Sequence, residues 1–503
     1  MPGLMSNISF PRSLAAFFIG CVSLLATAAC STNPATGERA FTGFMSPEEE
    51  LQVGRDEHPK LVKAFGGEYA DADLAAYITK IGLNLGRLSD APSLPYSFTV
   101  LDDDNINAFA LPGGYVYITR GLLALAKDEA ELASVLAHEV GHIVARHSAQ
   151  RYSQTVAANI GLTVLGVLGN AAGLPSELGD VASFGTSAYL QGYSREQELE
   201  ADMLGVRYLA RAGYDPNATI TFLKKMRKHS RLEALIAGRS LDSVDHFNLM
   251  ATHPRTVERI DKAIALAGTV EGPDADRGEV RYLERIDGMI FGDNLKEGVR
   301  NDRDFLHPEL GVAFTVPPGF TLFNGATQVT ARGPDKTLIA FDMASTESLR
   351  HTSDPLAYLT RIWAVNLSPQ NLERIEINGM PAATTQASVR TNGVTRNARM
   401  VVIQERPERL YRFMFLSPRK AVGRYQENFQ RTTYSFRRLT PQQAADIQPL
   451  RIKIRAIRPG DTAEGLASSM PFPGHRLEWF ETLNGLRRGE PLKPGQLVKI
   501  VSG

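Results

Sequence analysis

The residues best suited to chemistry are His138, Glu139 and His142, in the run His-Glu-Val-Gly-His. On a helix, positions four apart share a face, so the two imidazoles can reach one cation. Glu139 is turned aside from them, outside the inner coordination sphere but close enough to act on a water held there. A catalytic zinc needs three protein ligands and one open position. Cys21 and Cys30 are the only cysteines, so residues beyond them form no internal disulfide and no thiolate zinc site. The third ligand must then be His, Asp or Glu. His147, five residues past His142, is predicted to rotate away from the ligand face. Further on, Ser194 to Asp202 (SREQELEAD) opens a second predicted helix on which Glu198 and Asp202 share a face. Glu196 and Glu200 are explained there by the favourable helix dipole alone.

These side chains need rigid elements beneath them. Asp128 is a good N-cap, with Glu131 placed for a capping box, and Leu132, Val135, Leu136, Ile143 and Val144 supply a buried helical face. The second helix is expected from Ser194 to about Ala212, stopped by Gly213. Residues 51–87 hold two amphipathic stretches. Tyr96 to Leu101 and Gly114 to Thr119 read as strands, joined through the turn Asn-Ala-Phe-Ala-Leu-Pro-Gly-Gly at 107–114. Strand 114–119, just before the ligand helix, is expected to offer an edge for an extended substrate. The apolar run Val156 to Leu174 carries four glycines and stops at Pro175, which predicts a buried or membrane-facing hairpin rather than a span.

The HEVGH helix, the SREQELEAD start, the NAFALPGG turn, Thr252-His253-Pro254 and Arg259-Ile260 together resemble the metallopeptidase family of CAAX prenyl proteases and HtpX (family M-forty-eight). Within it, the likeness is to soluble periplasmic members of the BepA type, over roughly residues 46–267. The resemblance implies one zinc ion per chain, held by His138, His142 and Glu198, with Glu139 as general base. It makes Asp202 a catalytic acidic residue that orients a ligand histidine or donates a proton. It makes His253 a regulatory or fourth ligand, set against the plainer reading of a local turn contact. Arg259 is expected to pair with an acidic neighbour rather than to bind an oxyanion. The implied task is hydrolysis of misfolded or stalled envelope proteins.

The remaining sequence sets the context. Arg12, the apolar run Leu14 to Leu25 and the small residues before Cys30 read as an export signal at 1–29, and the approach to Cys30 resembles a lipobox. Thr27 stands where leucine is commonest, so simple cleavage is the alternative to lipidation of Cys30. Either way the body is expected in the periplasm, and lipidation, with Ser31 after the cysteine, would anchor it to the outer membrane. Lys+Arg and Asp+Glu both number 55, so charge gives no argument for nucleic acid. At 503 residues the chain exceeds a single core, and a multidomain fold is expected. Its parts are a tether at 30–45, a mainly α zincin-type domain with a small sheet at 46–270, an α+β domain at 286–440 and a small module at 451–503. A polar segment, 268–278, reads as a linker. The α+β domain resembles PsbP-like domains in its order of strands and helices, and shows no metal or nucleophile cluster. The final module resembles LysM in its strand–helix–helix–strand order, which would allow peptidoglycan binding. Trp363 and Trp479 read as core aromatics. Two other functions compete with the peptidase: a periplasmic chaperone or assembly factor with a latent zinc site, and a peptidoglycan-associated adaptor.

Overall fold

Side-chain caps start the helices. In a computed structural model, which describes residues 30–156, 192–236, 253, 257–269, 277–391 and 394–503, Ser46 and Glu49 close a reciprocal box at α1 (Pro47–Ala64). Asp71 accepts the Leu74 amide at α2 (Ala72–Leu88). After the short α3 (Arg120–Leu125), Asp128 accepts the Glu131 amide at 2.8 Å and caps α4 (Glu129–Val144). The expected reciprocal half of that box is not formed. Glu131 instead accepts from the Lys127 amide and from buried Lys225. Ser194 and Gln197 cap α5 (Arg195–Arg211), and α6 (Asn217–Ile236), α7 (Val257–Thr269) and α8 (Glu279–Ile286) follow.

The chemistry-bearing helix α4 is buried over its whole length, not along one face. Helices α2, α5 and α6 and a small sheet surround it, and Leu132, Val135, Leu136 and Val140 lie in the largest apolar cluster. That sheet runs β3 (Ser97–Leu101), β5 (Tyr115–Thr119), β4 (Ala108–Leu111), with β5 parallel to β3 and antiparallel to β4. The sequence expectation for strand 114–119 is therefore corrected: β5 is central, and its backbone is used on both sides. The edge strand packed against α4 is β4.

The segment expected to be a tether is a folded hairpin, β1 (Cys30–Thr32) and β2 (Arg39–Phe41). Buried Asn33 and Thr42 fix it to the main body. Its polar composition reflects hydrogen bonding, with Arg146 donating to the Met45 carbonyl at 2.8 Å, rather than solvation.

Residues 299–438 form the sheet-rich part. Strands β6 (Val299–Asn301), β7 (Asp304–His307), β8 (Val312–Thr315) and β16 (Arg437–Arg438) make one sheet in the order β16-β8-β7-β6. The other has seven antiparallel strands in the order β12-β13-β14-β15-β11-β10-β9. These are β9 (Thr321–Asn324), β10 (Val329–Arg332), β11 (Leu338–Met343), β12 (Gln370–Ile377), β13 (Met380–Thr391), β14 (Val394–Arg406) and β15 (Arg409–Pro418). Helix α9 (Pro355–Tyr358), continued by a turn to Trp363, covers one face. Helix α10 (Val422–Ser435) closes the Phe-rich core on the other.

The last unit is β17 (Arg451–Ala456), α11 (Ala463–Ser468), α12 (Arg476–Leu483) and β18 (Leu497–Ser502), with the strands antiparallel. It does not stand apart. Ile452 belongs to the core around α4. Lys499 Nζ, fully inside, donates to the carbonyls of Ala124, Leu125 and Ala126 at 2.6, 3.3 and 2.8 Å, which satisfies the C-terminal end of α3. Among the described residues, no helix is long and apolar enough to cross a membrane. The signal at 1–29, residues 157–174 of the apolar run, Thr252, Pro254 and the linker core 270–276 lie outside the described residues.

Candidate metal centre

Two glycines bring the ligand-bearing helices together. A Cβ on Gly141 would sit 3.0 Å from the Ala201 carbonyl, and one on Gly205 would sit 3.0 Å from the His138 amide nitrogen. Helices α4 and α5 can therefore cross closely enough for carboxylates on α5 to reach imidazoles on α4.

Donor atoms of His138, His142, Glu198 and His253 all lie within 4.8 Å of one another. His138 Nε2 is 3.0 Å from His142 Nε2 and 3.3 Å from His253 Nδ1. Glu198 Oε1 is 3.4 Å from His142 Nε2 and 2.8 Å from His253 Nδ1, and its Oε2 is 3.6 Å from His138 Nε2. A tetrahedral cation with bonds of about 2.0–2.2 Å requires donors spaced about 3.3–3.6 Å apart. The observed distances straddle that value, so the donor set fits one divalent cation. All four side chains are buried.

Electrostatics sorts the two glutamates. Burial opposes ionisation of Glu198, but His253 and Arg259 outweigh it and hold the carboxyl well below its usual range. Glu139 is wholly buried and both its oxygens lack a hydrogen-bond partner, the nearest cation being His253 Nε2 at 3.3 Å. Burial accordingly pushes its pKa up. An ionised carboxylate among the donors, beside one biased toward accepting a proton, is an arrangement that suits metal-assisted hydrolysis. Burial also drives His142 well below the ordinary imidazole value, favouring the neutral form that ligates.

Asp202 Oδ1 is 2.9 Å from His138 Nδ1, on the ring edge opposite the donor cluster. Both Asp202 oxygens accept from Arg259 at 2.7 Å. Burial raises its pKa, but Arg259 more than offsets this and keeps it ionised, which suits orientation of His138 rather than proton donation. Arg259, on α7, also contacts Glu198 and so pairs with acidic neighbours.

Two residues near the centre depart from the sequence reading, which turns His147 away and passes over Tyr193. His147 Nδ1 is 2.8 Å from His142 Nδ1, although it takes no place among the donors. Tyr193 stacks on the His142 ring with centroids 3.9 Å apart and bonds Ser148 through its hydroxyl. An aromatic immediately before the Ser194 cap was the available signal for the second; the first had none, because it depends on a break in the helix. Cys30 is the first residue of β1, far along the chain from these donors.

A cavity beside the cluster is walled by Val135, Thr219, Phe222, Leu223 and Met226, with His138, Glu139 and His253 at its base. The arrangement can hold a cation, keep one proton acceptor unengaged beside it and receive an apolar group.

Comparison with known proteins agrees with this chemistry. The model of peptidase family M48 matches residues 72–267, and a family so named implies a metal. The beta-barrel assembly-enhancing protease of Escherichia coli K12 is 32% identical over 280 residues, 54% of this chain and 54% of its own. The mitochondrial metalloendopeptidase OMA1 of Schizosaccharomyces pombe is 29% identical over 231 residues, 46% of this chain and 64% of its own. The chain thus spans about half the length of the first of these relatives. The solution structure of cyanobacterial PsbP from Synechocystis sp. PCC 6803 aligns with 28% of this chain and 98% of its own at 15% identity, with a TM-score of 0.23. That score carries no fold assignment.

Proposed function

We propose, from the match of residues 72–267 to the model of peptidase family M48, that the protein is a zinc-dependent endopeptidase of the bacterial envelope. His138, His142 and Glu198 are the zinc ligands. Bound zinc supplies Lewis acidity to a water molecule and to the scissile carbonyl. Glu139 is the general base: its carboxylate, without a hydrogen-bond partner, would hold the proton of an attacking water and return it to the leaving amine. Asp202 fixes the His138 ring from behind. An extended substrate pairs along β4, the edge of the small sheet, and sends an apolar side chain toward Phe222 and Met226. Backbone pairing tolerates varied sequences, as clearance of misfolded proteins requires.

The single observation that carries this reading is the convergence of four buried donors around Glu139, whose oxygens have no hydrogen-bond partner. Metal analysis and casein proteolysis of the mature protein test it, with Glu198→Ala as control. Stoichiometric zinc and cleavage, both lost in the control, are expected; a zinc-free, inert parent would refute it.

The name of the E. coli relative points to β-barrel assembly, and we extend that setting here: the clients are misfolded or stalled envelope proteins, met in the periplasm. Cys30 is lipidated and holds the chain to the outer membrane. The sheet-rich part is a PsbP-like recognition or scaffolding domain, and residues 451–503 are a LysM-like module open to peptidoglycan. One observation favours a second reading, an assembly factor with a latent site. His253 stands where the open position should be, so the chain is drawn closed.

A further inference from the structure

His142 is braced from behind by groups that are not donors in the cluster. On an unbroken helix, residue 147 would lie about 140° around from residue 142. Helix α4 ends at Val144, and Arg146 adopts φ 56°, in the left-handed region. That reversal carries His147 back against His142, with Nδ1 2.8 Å from the His142 Nδ1. The unusual conformation is tied down by the Arg146 side chain, which donates to Glu50 and to the Met45 carbonyl at 2.7 and 2.8 Å. Strain held by dedicated contacts, next to a functional centre, asks for a purpose.

The hydrogen bonds give the chain a direction. His147 Nε2 lies 3.2 Å from Glu200 Oε2, and an ionised carboxylate can only accept. His147 Nε2 therefore carries the proton, and its Nδ1 has a lone pair. The 2.8 Å contact then needs a proton on His142 Nδ1. His142 is left with its lone pair on Nε2, the atom facing Glu198 and His138. Glu200 is itself secured through its other oxygen by the amide of Asn33, a buried residue of the N-terminal hairpin.

We propose that His147 and Glu200 are positioning residues that fix the tautomer and plane of His142 for metal binding, with Asn33 fastening Glu200 in place. This rests on the reading of the cluster as a zinc site. It gives Glu200 a task beyond the helix dipole, and it makes the hairpin that follows Cys30 part of the site's outer support.

The test is zinc affinity of the full mature chain, by competition with a chromophoric chelator, alongside the rise in melting temperature on adding zinc. His147→Ala should weaken zinc binding by about 10–100-fold and Glu200→Gln by about tenfold, the range for outer partners of ligand histidines. His147→Gln, able to accept on one side and donate on the other, should recover most of the loss. Glu196→Gln, a neighbour outside the chain of contacts, should stay within about twofold of the parent. Unchanged affinity in folded His147→Ala and Glu200→Gln overturns the proposal. If His147→Ala does not fold, Glu200→Gln decides alone, since that side chain is 23% exposed and tolerates an amide. A parent that takes up no zinc would instead sink the metal-site reading, and this proposal with it.

Discussion

Replacing Glu139 by glutamine should separate catalysis from stability in opposite directions. The amide has the carboxylate's shape but cannot accept the proton of an attacking water. General base catalysis contributes about 10²–10⁴ in rate, so the variant should lose that much turnover, equivalent to about 3–5 kcal/mol of transition-state stabilisation. In the folded state the carboxylate has both oxygens buried without a hydrogen bond, and burial outweighs the attraction of His253. Exchanging that desolvated charge, which faces His253 Nε2 at 3.3 Å, for a neutral amide should therefore raise the stability of the zinc-free protein by about 1 kcal/mol. Two assays are needed. Cleavage of a fluorogenic casein should be compared at equal zinc content, in the parent and in a His253→Ala background so that a closed site does not hide the loss. Urea unfolding of the zinc-free proteins gives the second number. A zinc-loaded glutamine variant within about tenfold of the parent rate would remove Glu139 from the proton transfer. A zinc-free variant that is less stable than the parent would show that the carboxylate has partners, and the argument from its isolation would fail.

Other outcomes follow from single contacts. His253→Ala should raise casein cleavage by roughly tenfold, as expected for shifting a closed equilibrium by about 1.4 kcal/mol; equal or lower activity with zinc retained would exclude a gating role. Lys499→Met leaves the carbonyls of Ala124, Leu125 and Ala126 without their donor, and should lower stability by about 1–3 kcal/mol in urea titration. No loss there would mean that residues 451–503 add nothing to the core around α4. His307 is buried, its Nδ1 accepts the Leu310 amide, and burial followed by repulsion from Arg409 lowers its pKa from 6.5 to about 4. The unfolded chain takes up this proton first as pH falls, so stability present above pH 6.5 is lost as pH falls through about 4. The loss amounts to about 3 kcal/mol at most. The difference between parent and His307→Asn across that window isolates it, and a flat difference would contradict the neutral, buried imidazole.

What the sequence disclosed was mostly local. Cap residues and periodicity placed the helices around His138 and Glu198 to within a few residues, because Asp128 and Ser194 are strong signals with strong backbone consequences. The strands around Val312, Leu338, Arg409 and the run 398–404 carry a β-branched and aromatic texture that reads as strand. By contrast, β12 reads as polar (QNLERIEI) because it is an exposed edge, so its strand character comes from pairing with β13 rather than from burial. Which strand of the small sheet is the edge was a matter of topology, and adjacency in sequence to α4 pointed to the wrong one. His147 was hidden for a different reason. Helical geometry sends it away from His142, and only the left-handed turn at Arg146, enforced by Glu50 and Met45, returns it.

The N-terminal hairpin and the last unit are drawn toward the body for a common physical reason. Residues 30–45 read in the sequence as a polar tether and 451–503 as a module of its own, yet each inserts a polar side chain into the body. Asn33 reaches Glu200 on one side of the ligand helices. Lys499 enters beside Asp128, Glu131 and Lys225 at the start of α4, and burial holds its pKa well below that of an ordinary lysine. A free lysine gains nothing by entering such a place. Here it enters because the last carbonyls of α3 have no helical partner and cannot reach water. Both segments thus add to the surroundings of helices α4 and α5, Asn33 through Glu200 and residues 451–503 through Ile452 and Lys499, and donor atoms that must be aligned to a fraction of an ångström gain from that enclosure. The segments that seemed peripheral in the sequence are, in energetic terms, part of the frame that holds His138 and His142 in place.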